Sequence, residues 1–555
     1  MRARNATRSL IALPLAALAL LIPVAAAQAA LSLTSPVAAP ADTHAGHHSN
    51  FTLSFTVAGG DHIQNLTTEL PPGLVGNPQA ASFCFLNQLM ADQCPASSRI
   101  GSASSSVTAT LPPDPPGLVT VPLNVAGDVY NVIPLGSDPA TLGVVLRADS
   151  MGLPPQILNA APTILIGHAS ARPTDFGLNT TITNIPRTAN VTLAVGGPQT
   201  LNVRIDSTSL TLNGVNPQFM TNPTSCGTKT TRITATSYEG NAATVAPTFD
   251  STNCADQAFA PHLSVTLDMS KDAAHIGHPD VTTEVTQGLD QANGKRVEAI
   301  LPKTLQANNA ALIDQCPLAS FQASSCPANT LLGSALARTP LLSVPLQGPV
   351  YLVQHPGFLP QVGLDLKGPL PAKILGNAGL TSDFRLDNVF GEVAPGLPDV
   401  PLTQFKLTFN GGNDGLITAT HAVCGGGDNT FNAVFDSYGG QHVTQSGQPN
   451  IIGCAFAKRL SKNRCQHKKL TDVGTKHRDT IRGTKKRDVI NGLGGNDTII
   501  GLKGNDLLCG GKGKDKIKGG PGKDLLVGGA GKDTLVGGPG KDKLAGGPGK
   551  DRQKQ

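Results

Sequence analysis

The sequence predicts an all-β protein: two duplicated, β-sandwich-like domains followed by a C-terminal parallel β-roll. Three observations carry this. The 555-residue chain has 62 Gly and 43 Pro but no Trp, and only 15% of it is charged. That composition suits short strands joined by turns, and no long stretch of 3.6-residue periodicity follows the N-terminus. Strings from the first half of the chain recur in the second half, and the C-terminus repeats every nine residues.

The N-terminus comes first. Arg2, Arg4 and Arg8 precede an apolar run from Leu10 to Ala26, and Ala27-Gln28-Ala29 is a small-x-small cleavage site. This is the pattern of a secretory signal peptide over 1–29. A retained membrane anchor is the alternative; Pro23 and the cleavage triplet favour removal. No second apolar stretch of bilayer length follows, so no membrane span is expected after cleavage. Residues 30–49 read as a flexible N-terminus. Its "HAGHH" (44–48) offers metal-ligating histidines, but they read as a solvated tail, and the His275/His278 pair in "HIGH" reads as an exposed loop.

The body comes next. "FCFLNQLMADQCPASSRIGSA" (83–103) matches "DQCPLASFQASSCPANTLLGSA" (314–335), with Cys84 and Cys94 on Cys316 and Cys326 and Gly101 on Gly333. "GDVYNV" (127–132) matches "GPVYLV" (348–353), and "SLTLNG" (209–214) matches "KLTFNG" (406–411). The protein has four Tyr, and they fall into the pairs Tyr130/Tyr351 and Tyr238/Tyr438. The expectation is two copies of one β-rich unit, 50–256 and 257–455, with alternating strands most evident in 202–214 and 403–411.

Ten Cys in an exported chain indicate disulfides. Nearest pairing inside each copy gives Cys84–Cys94, Cys226–Cys254, Cys316–Cys326 and Cys424–Cys454. A Cys metal site is disfavoured, because the close pairs are not C-x-x-C. Cys465 and Cys509 remain, with pairing to each other open.

A basic linker, 456–473, leads to the repeats at 474–555. Asp479, Asp488, Asp497, Asp506, Asp515, Asp524, Asp533, Asp542 and Asp551 are spaced by nine without a slip. Ile or Leu stands two positions after each Asp up to Asp542, from Ile481 to Leu544, and Gly holds the fourth position from Gly495 to Gly549. The first two copies carry His477 and Lys486 there and look degenerate. Glycine-rich turns followed by three-residue strands with one inward aliphatic residue make a roll. Two nonapeptides complete a coil, so each Asp lies over the one 18 residues on. Carboxylates in file repel unless a hard cation lies between them. Oxygen ligands in a flexible turn fit Ca²⁺ better than Zn²⁺ or octahedral Mg²⁺.

The pattern resembles the RTX, or hemolysin-type calcium-binding, repeat, G-G-x-G-x-D-x-U-x, over 474–551. The resemblance implies a calcium-bound β-roll that is disordered without the ion. It also implies Asp497, Asp506, Asp515, Asp524, Asp533, Asp542 and Asp551 as metal ligands. Asn496 and Asn505 keep the family's fifth position, but Lys514, Lys523, Lys532, Lys541 and Lys550 replace it. The family uses that residue's carbonyl, so coordination survives, while the added cations weaken the site. Many RTX proteins leave the cell through an exporter that reads a C-terminal signal. With an N-terminal signal present and repeats running almost to the end, a structural or adhesive role is expected instead.

Charge is split. From 455 onward there are 24 Lys/Arg and 10 Asp, net +14; residues 31–454 carry 16 Lys/Arg and 28 Asp/Glu, net −12. Export and the lack of interleaved aromatics argue against nucleic acid. An anionic cell-envelope polymer or polysaccharide is one partner for the basic tail; the acidic body is the other. There is no H-E-x-x-H and no G-x-S-x-G. The five Glu (Glu69, Glu239, Glu284, Glu298 and Glu392) do not recur between the copies. The expectation is a secreted calcium-binding surface or extracellular-matrix protein that is not an enzyme. The alternative is a secreted hydrolase with an unrecognised site in 50–455 and a stabilising tail.

Overall fold

A computed structural model describes residues 30–110, 120–136, 138–148, 158–193, 197–269, 278–309, 311–383, 385–411, 415–419, 423, 428–453 and 462–555. The expected signal peptide and the Cys424–Cys454 bridge lie outside the described residues, as does His275. The fold is nearly all-β, with two large antiparallel sheets in the body and a parallel solenoid at the C-terminus.

In the first sheet the main path uses β1 (Ser32–Pro40), β2 (Phe51–Ala58), β3 (Ile63–Glu69), β4 (Arg99–Thr110), β5 (Thr120–Val132), β6 (Thr141–Ala148), β7 (Thr163–Ala171), β8 (Leu178–Ile182), β9 (Gly197–Leu212), β10 (Arg232–Ser237) and β11 (Ala242–Val245). Their order is β1-β2-β9-β4-β5-β6-β7-β8-β3-β10-β11. In the second sheet the strands are β12 (His262–Asp268), β13 (Asp280–Thr286), β14 (Gly294–Ile300), β15 (Leu331–Arg338), β16 (Leu346–Val353), β17 (Gln361–Leu366), β18 (Ala372–Leu380), β19 (Leu386–Phe390), β20 (Gln404–Phe409), β21 (Phe431–Ser437) and β22 (His442–Gly447). Their order is β12-β13-β20-β15-β16-β17-β18-β19-β14-β21-β22, the first order strand for strand, and one more strand, Asn450–Ile452, pairs in parallel outside β12. In both sheets the third strand leaves its sequence neighbours to pair with strands far along the chain.

Each sheet curls back on itself, bringing β1 beside β11 and β12 beside β22. Opposite walls then share one core. Alternation drives this: β21 reads buried at Phe431, Ala433 and Phe435 and half-buried between them. The seam of the second unit is stitched by the Gln445 side chain, which donates to Leu263 O (2.8 Å) and accepts from Leu263 N (2.7 Å). A sheet this wide has a circumference larger than its Leu, Val and Ala side chains fill. Apolar cavities of about 200 Å³ and about 210 Å³ remain inside the first and second units.

The close disulfides form as expected. Cys84–Cys94 and Cys316–Cys326 each close a loop with a Cα–Cα distance of 5.3 Å, and Cys226–Cys254 also forms. Each small loop holds a short helix, α1 (Leu86–Met90) and α2 (Leu318–Gln322), whose buried Leu89 or Phe321 presses on the sheet. Glycine is required beneath them: a Cβ on Gly143 would meet Leu89 Cδ1 at 2.6 Å, and one on Gly363 would meet Phe321 Cε2 at 2.8 Å.

The 30–49 stretch is not the flexible segment expected. Its residues 32–40 are β1, paired along β2 with Leu33 and Ala38 buried. Its turns are held by partners more than 170 residues away, which local composition does not reveal. Buried Asp399 joins the two units, accepting from Thr224 Oγ1 (2.6 Å), Ser225 Oγ (2.8 Å) and Asn293 Nδ2 (2.9 Å).

The tail strands are β23 (Asp472–Val473), β24 (Thr480–Arg482), β25 (Val489–Asn491), β26 (Thr498–Ile500), β27 (Leu507–Lys512), β28 (Lys516–Lys518), β29 (Leu525–Ala530), β30 (Thr534–Val536), β31 (Lys543–Ala545) and β32 (Arg552–Lys554). Odd-numbered strands make one five-stranded parallel sheet and even-numbered strands the other. Partners differ by 18 residues, as Ile481↔Ile499 and Leu508↔Leu526 do. Two nonapeptides therefore make one coil. Ile481, Ile490, Ile499, Leu508, Ile517, Leu526 and Leu535 form the buried file between the sheets, with Leu544 packed on its end. Within the stretch read as a basic linker, Arg464–Cys465 and Lys468–Lys469 instead pair as a hairpin. Cys465 bonds Cys509, and the hairpin's Leu470 packs with Val473, Val489 and Leu507 to cover the roll's first coils.

Candidate metal centre

Every Asp of the file is placed by the same local rule. It ends a turn and precedes a strand of three or six residues, whose second side chain enters the core in every repeat up to Asp542. From the third repeat on, positions two and four of the turn have positive φ: Leu493 and Gly495, Leu502 and Gly504, then glycine pairs from Gly511/Gly513 to Gly547/Gly549. That conformation is costly for any side chain, which is why those positions settle on Gly.

The two oxygens of each carboxylate have different fates. Oδ1 accepts from the Asp main-chain N–H one coil earlier: Asp497 N to Asp515 Oδ1 at 2.8 Å, Asp506 N to Asp524 Oδ1 at 2.9 Å, Asp515 N to Asp533 Oδ1 at 2.9 Å, Asp524 N to Asp542 Oδ1 at 2.9 Å and Asp533 N to Asp551 Oδ1 at 2.9 Å. Oδ2 of Asp497, Asp506, Asp515, Asp524, Asp533 and Asp542 is buried with no hydrogen-bond partner. Each of these residues is at most 8% exposed. A buried acceptor without a donor is strongly disfavoured, and a buried charge more so.

Burial raises these carboxyls above the ordinary range. Asp497 is pushed up to about 6 and Asp506 to about 7, in each case mainly by desolvation, with neighbouring Asp of the file adding to it. Asp515, Asp524 and Asp533 are raised for the same reasons. Hydrogen bonds from the preceding coil oppose the shift without cancelling it.

The space beside Oδ2 has the chemistry of a cation cradle. A Cβ placed on Gly492 would lie 2.5 Å from Asp497 Oδ2 and 2.5 Å from Gly510 O. The same combination of glycine, Asp Oδ2 and a carbonyl of the next coil recurs at Gly501, Gly510, Gly519 and Gly528. Carboxylate and carbonyl oxygens facing one bare spot suit a hard cation with oxygen ligands. The fifth-position lysines, Lys514, Lys523, Lys532, Lys541 and Lys550, point to solvent. Asn496 and Asn505 use their Oδ1 to accept from Lys514 N (2.8 Å) and Lys523 N (2.9 Å) on the next coil.

The two degenerate repeats solve the same problem differently. Asp479 Oδ2 accepts from Thr475 N (2.6 Å) and Thr475 Oγ1 (2.9 Å), and Asp488 Oδ2 accepts from Thr484 N (2.6 Å) and Thr484 Oγ1 (3.1 Å). Here a threonine supplies the positive partner that later coils lack. Sequence reasoning missed these two residues. Their signal was present, since Thr stands at position two only in the copies with His477 and Lys486 at position four.

This arrangement defines a class: a parallel roll whose coils gather oxygen ligands for calcium. Residues 473–508, 504–535 and 518–552 match the family model of the RTX calcium-binding nonapeptide repeat. The C-terminal segment is thus an array of RTX calcium-binding repeats, while the body has no family assignment. No curated protein matches the chain. Among solved structures, the chain is similar at 9% identity to a protein of Corynebacterium diphtheriae described as membrane-anchored, covering 76% of this chain and 93% of that one with a TM-score of 0.15. It is similar at 12% identity to a tetra-tandem repeat from the extending region of a large adhesion protein (75% and 97% covered, TM-score 0.11). A third is dimeric latent PorU from Porphyromonas gingivalis, at 10% identity (76% and 34% covered, TM-score 0.09). At these scores none of the three carries an argument about the body. Among the described residues, no helix is long and apolar enough to cross a membrane.

Proposed function

We propose that this is a secreted calcium-binding protein of a cell surface or extracellular matrix, with a structural or adhesive role. Calcium folds its tail, and Asp497, Asp506, Asp515, Asp524, Asp533, Asp542 and Asp551 supply the carboxylate ligands. The observation that carries this reading is the file of buried Oδ2 atoms with no donor, those of Asp497, Asp506, Asp515, Asp524 and Asp533 each beside a carbonyl of the next coil. The disulfides fit an oxidising compartment, and the N-terminal pattern of 1–29 supplies the route. The body, 50–455, is two copies of one binding or scaffolding unit; the shared strand order supports this, as do the paired Cys and Tyr. The basic tail meets an anionic envelope polymer or polysaccharide by salt-sensitive attraction. The test is hydrogen exchange of the full chain, read on peptides from 492–551, during titration with Ca²⁺ and separately with Mg²⁺. Extracellular calcium modules bind at about 10⁻⁴–10⁻³ M. Protection should rise over that range with Ca²⁺ and lag with Mg²⁺. Full protection in chelator, or none at about 10 mM Ca²⁺, would overturn the proposal.

A further inference from the structure

Residues 42–48 are an ordered loop rather than a solvated tail, and this changes what their histidines can do. We propose that Asp42, His44 and His47 form a second metal site, chemically distinct from the tail, for a nitrogen-preferring divalent ion such as Zn²⁺.

The loop's main chain is fixed from several directions. Asn222, 2% exposed, donates through Nδ2 to Asp42 O (2.7 Å) and His44 O (2.9 Å). Asp42 N donates to Ser49 Oγ (2.8 Å), Ala45 N to Thr252 O (2.9 Å), Gly46 N to Pro223 O (3.0 Å), and His47 O accepts from Asn222 N (2.9 Å). Gly46 takes φ +68°, and a Cβ there would strike the Gln257 side-chain amide. That turn brings His47 back beside His44.

The result is a converging donor set. His44 Nδ1 lies on Asp42 Oδ1, and His47 Nδ1 lies 2.9 Å from Asp42 Oδ2. The two rings stack with centroids 5.0 Å apart and 17° between planes. One ligand atom from each of the three residues lies within 4.8 Å of the other two. With Zn–N and Zn–O bonds near 2 Å, ligand atoms of a tetrahedral site stand about 3.3 Å apart. A small torsional adjustment of exposed rings spans the difference. Two imidazoles and one carboxylate leave a fourth position to water.

Two contrasts sharpen the assignment. Elsewhere histidine and carboxylate meet one to one, as in His62–Glu239, His168–Asp138 and His442–Asp436. Among the described residues only Asp42, His44 and His47 gather three metal-ligating side chains at one point. The donors also differ in kind from the tail. Nitrogen suits Zn²⁺ and its neighbours, whereas Ca²⁺ takes six to eight oxygens. His48, next in the chain, turns away to Thr221 Oγ1 (3.0 Å) and Asp290 Oδ1 (3.3 Å).

The experiment titrates Zn²⁺ into the full chain by calorimetry with the tail kept saturated by Ca²⁺. One Zn²⁺ should bind per chain through this loop. His44→Ala and His47→Ala should each weaken it by at least about tenfold and together abolish it, while His48→Ala leaves it unchanged. Any Zn²⁺ held by the tail Asp would survive the histidine changes, so the two sources separate. Wild-type protein gives an independent reading: Zn²⁺ should shield His44 and His47, but not His48, from diethylpyrocarbonate, mapped by mass spectrometry. Zn²⁺ binding that the double variant retains in full, or modification of His44 and His47 that Zn²⁺ leaves unaltered, would overturn the proposal.

Discussion

Replacing Asp506 by Asn should strengthen the ion-free roll while weakening its response to calcium. Asp506 Oδ2 is buried without a donor, and its carboxyl is raised from 3.8 to about 7, chiefly by desolvation. The folded state therefore holds a proton that the unfolded chain releases near 3.8. Stability from this group is fully present below that value and is lost as pH rises through about 7. A displacement of that size corresponds to about 4 kcal/mol at neutral pH, taken as an order of magnitude. An amide of the same shape removes the charge. It keeps Oδ1 for the Asp488 N–H and turns an N–H toward the side where Gly519 O borders the Gly501 cradle. The assay is hydrogen exchange of the full chain in chelator at pH 4.5 and 7.5, corrected for intrinsic rates. In wild type, peptides around 497–533 should be better protected at the lower pH. Asp506→Asn should reduce that difference, raise protection at pH 7.5, and diminish the gain on adding Ca²⁺. A variant less protected than wild type in chelator at pH 7.5 would refute the reasoning, because Asp506 would then be stabilising the roll without an ion.

Other changes follow from the same coils. Thr484→Gly removes the hydroxyl donor to Asp488 Oδ2 and should cost about 1 kcal/mol in chelator, while calorimetry should register an added calcium site. Leu502 sits at φ +76°, where later repeats have Gly520 at +108°; Leu502→Gly should stabilise the roll by about 1 kcal/mol, seen as a lower calcium midpoint. Lys523→Asn, Lys532→Asn and Lys541→Asn together should also lower that midpoint. They remove three cations and offer inter-coil acceptors like that of Asn505, and a midpoint unchanged at low ionic strength would count against this.

The roll was legible because its information is local. A nine-residue period with Asp and Leu/Ile in fixed register dictates coil, core and the file of Asp within one repeat, and the 18-residue offset of Ile481 and Ile499 follows. The all-β body and its close disulfides were legible for a similar reason, since Cys84 and Cys94 close a small loop. What composition did not reveal is long-range. Strand β3 pairs with β8 and β10, over a hundred residues onward, and no local pattern names such partners. The order of residues 42–48 depends on Asn222, and that of the hairpin at 464–469 on the Cys465–Cys509 bond. The part played by Thr475 and Thr484 depends on which carboxylate oxygen faces inward, which only geometry supplies.

The two ends of the roll consequently differ in how much they need an ion. At the N-terminal end, the Cys465–Cys509 bridge and the cluster of Leu470, Val473, Val489 and Leu507 brace the first coils, and the two threonines satisfy Asp479 and Asp488 without one. From Asp497 onward each coil adds buried carboxylate oxygens that no donor meets. Gly-rich chain also loses much conformational entropy on ordering, and the eight inward Ile/Leu side chains offer little core to offset it. Calcium at about ten times its Kd contributes about 1.4 kcal/mol per site, so on the proposed ligand set each coil should become stable only when its own site and its neighbour are filled. Order should spread from the disulfide-capped end toward Asp551 as calcium rises. In the full chain at intermediate calcium, amides of 470–490 should already be protected while those of 515–550 exchange freely, and the boundary should move C-terminally with each increment. Reduction of Cys465–Cys509 should erase the head start. Protection that appears over the whole of 470–550 at one calcium concentration, or that begins at Asp551, would refute the capped-end order.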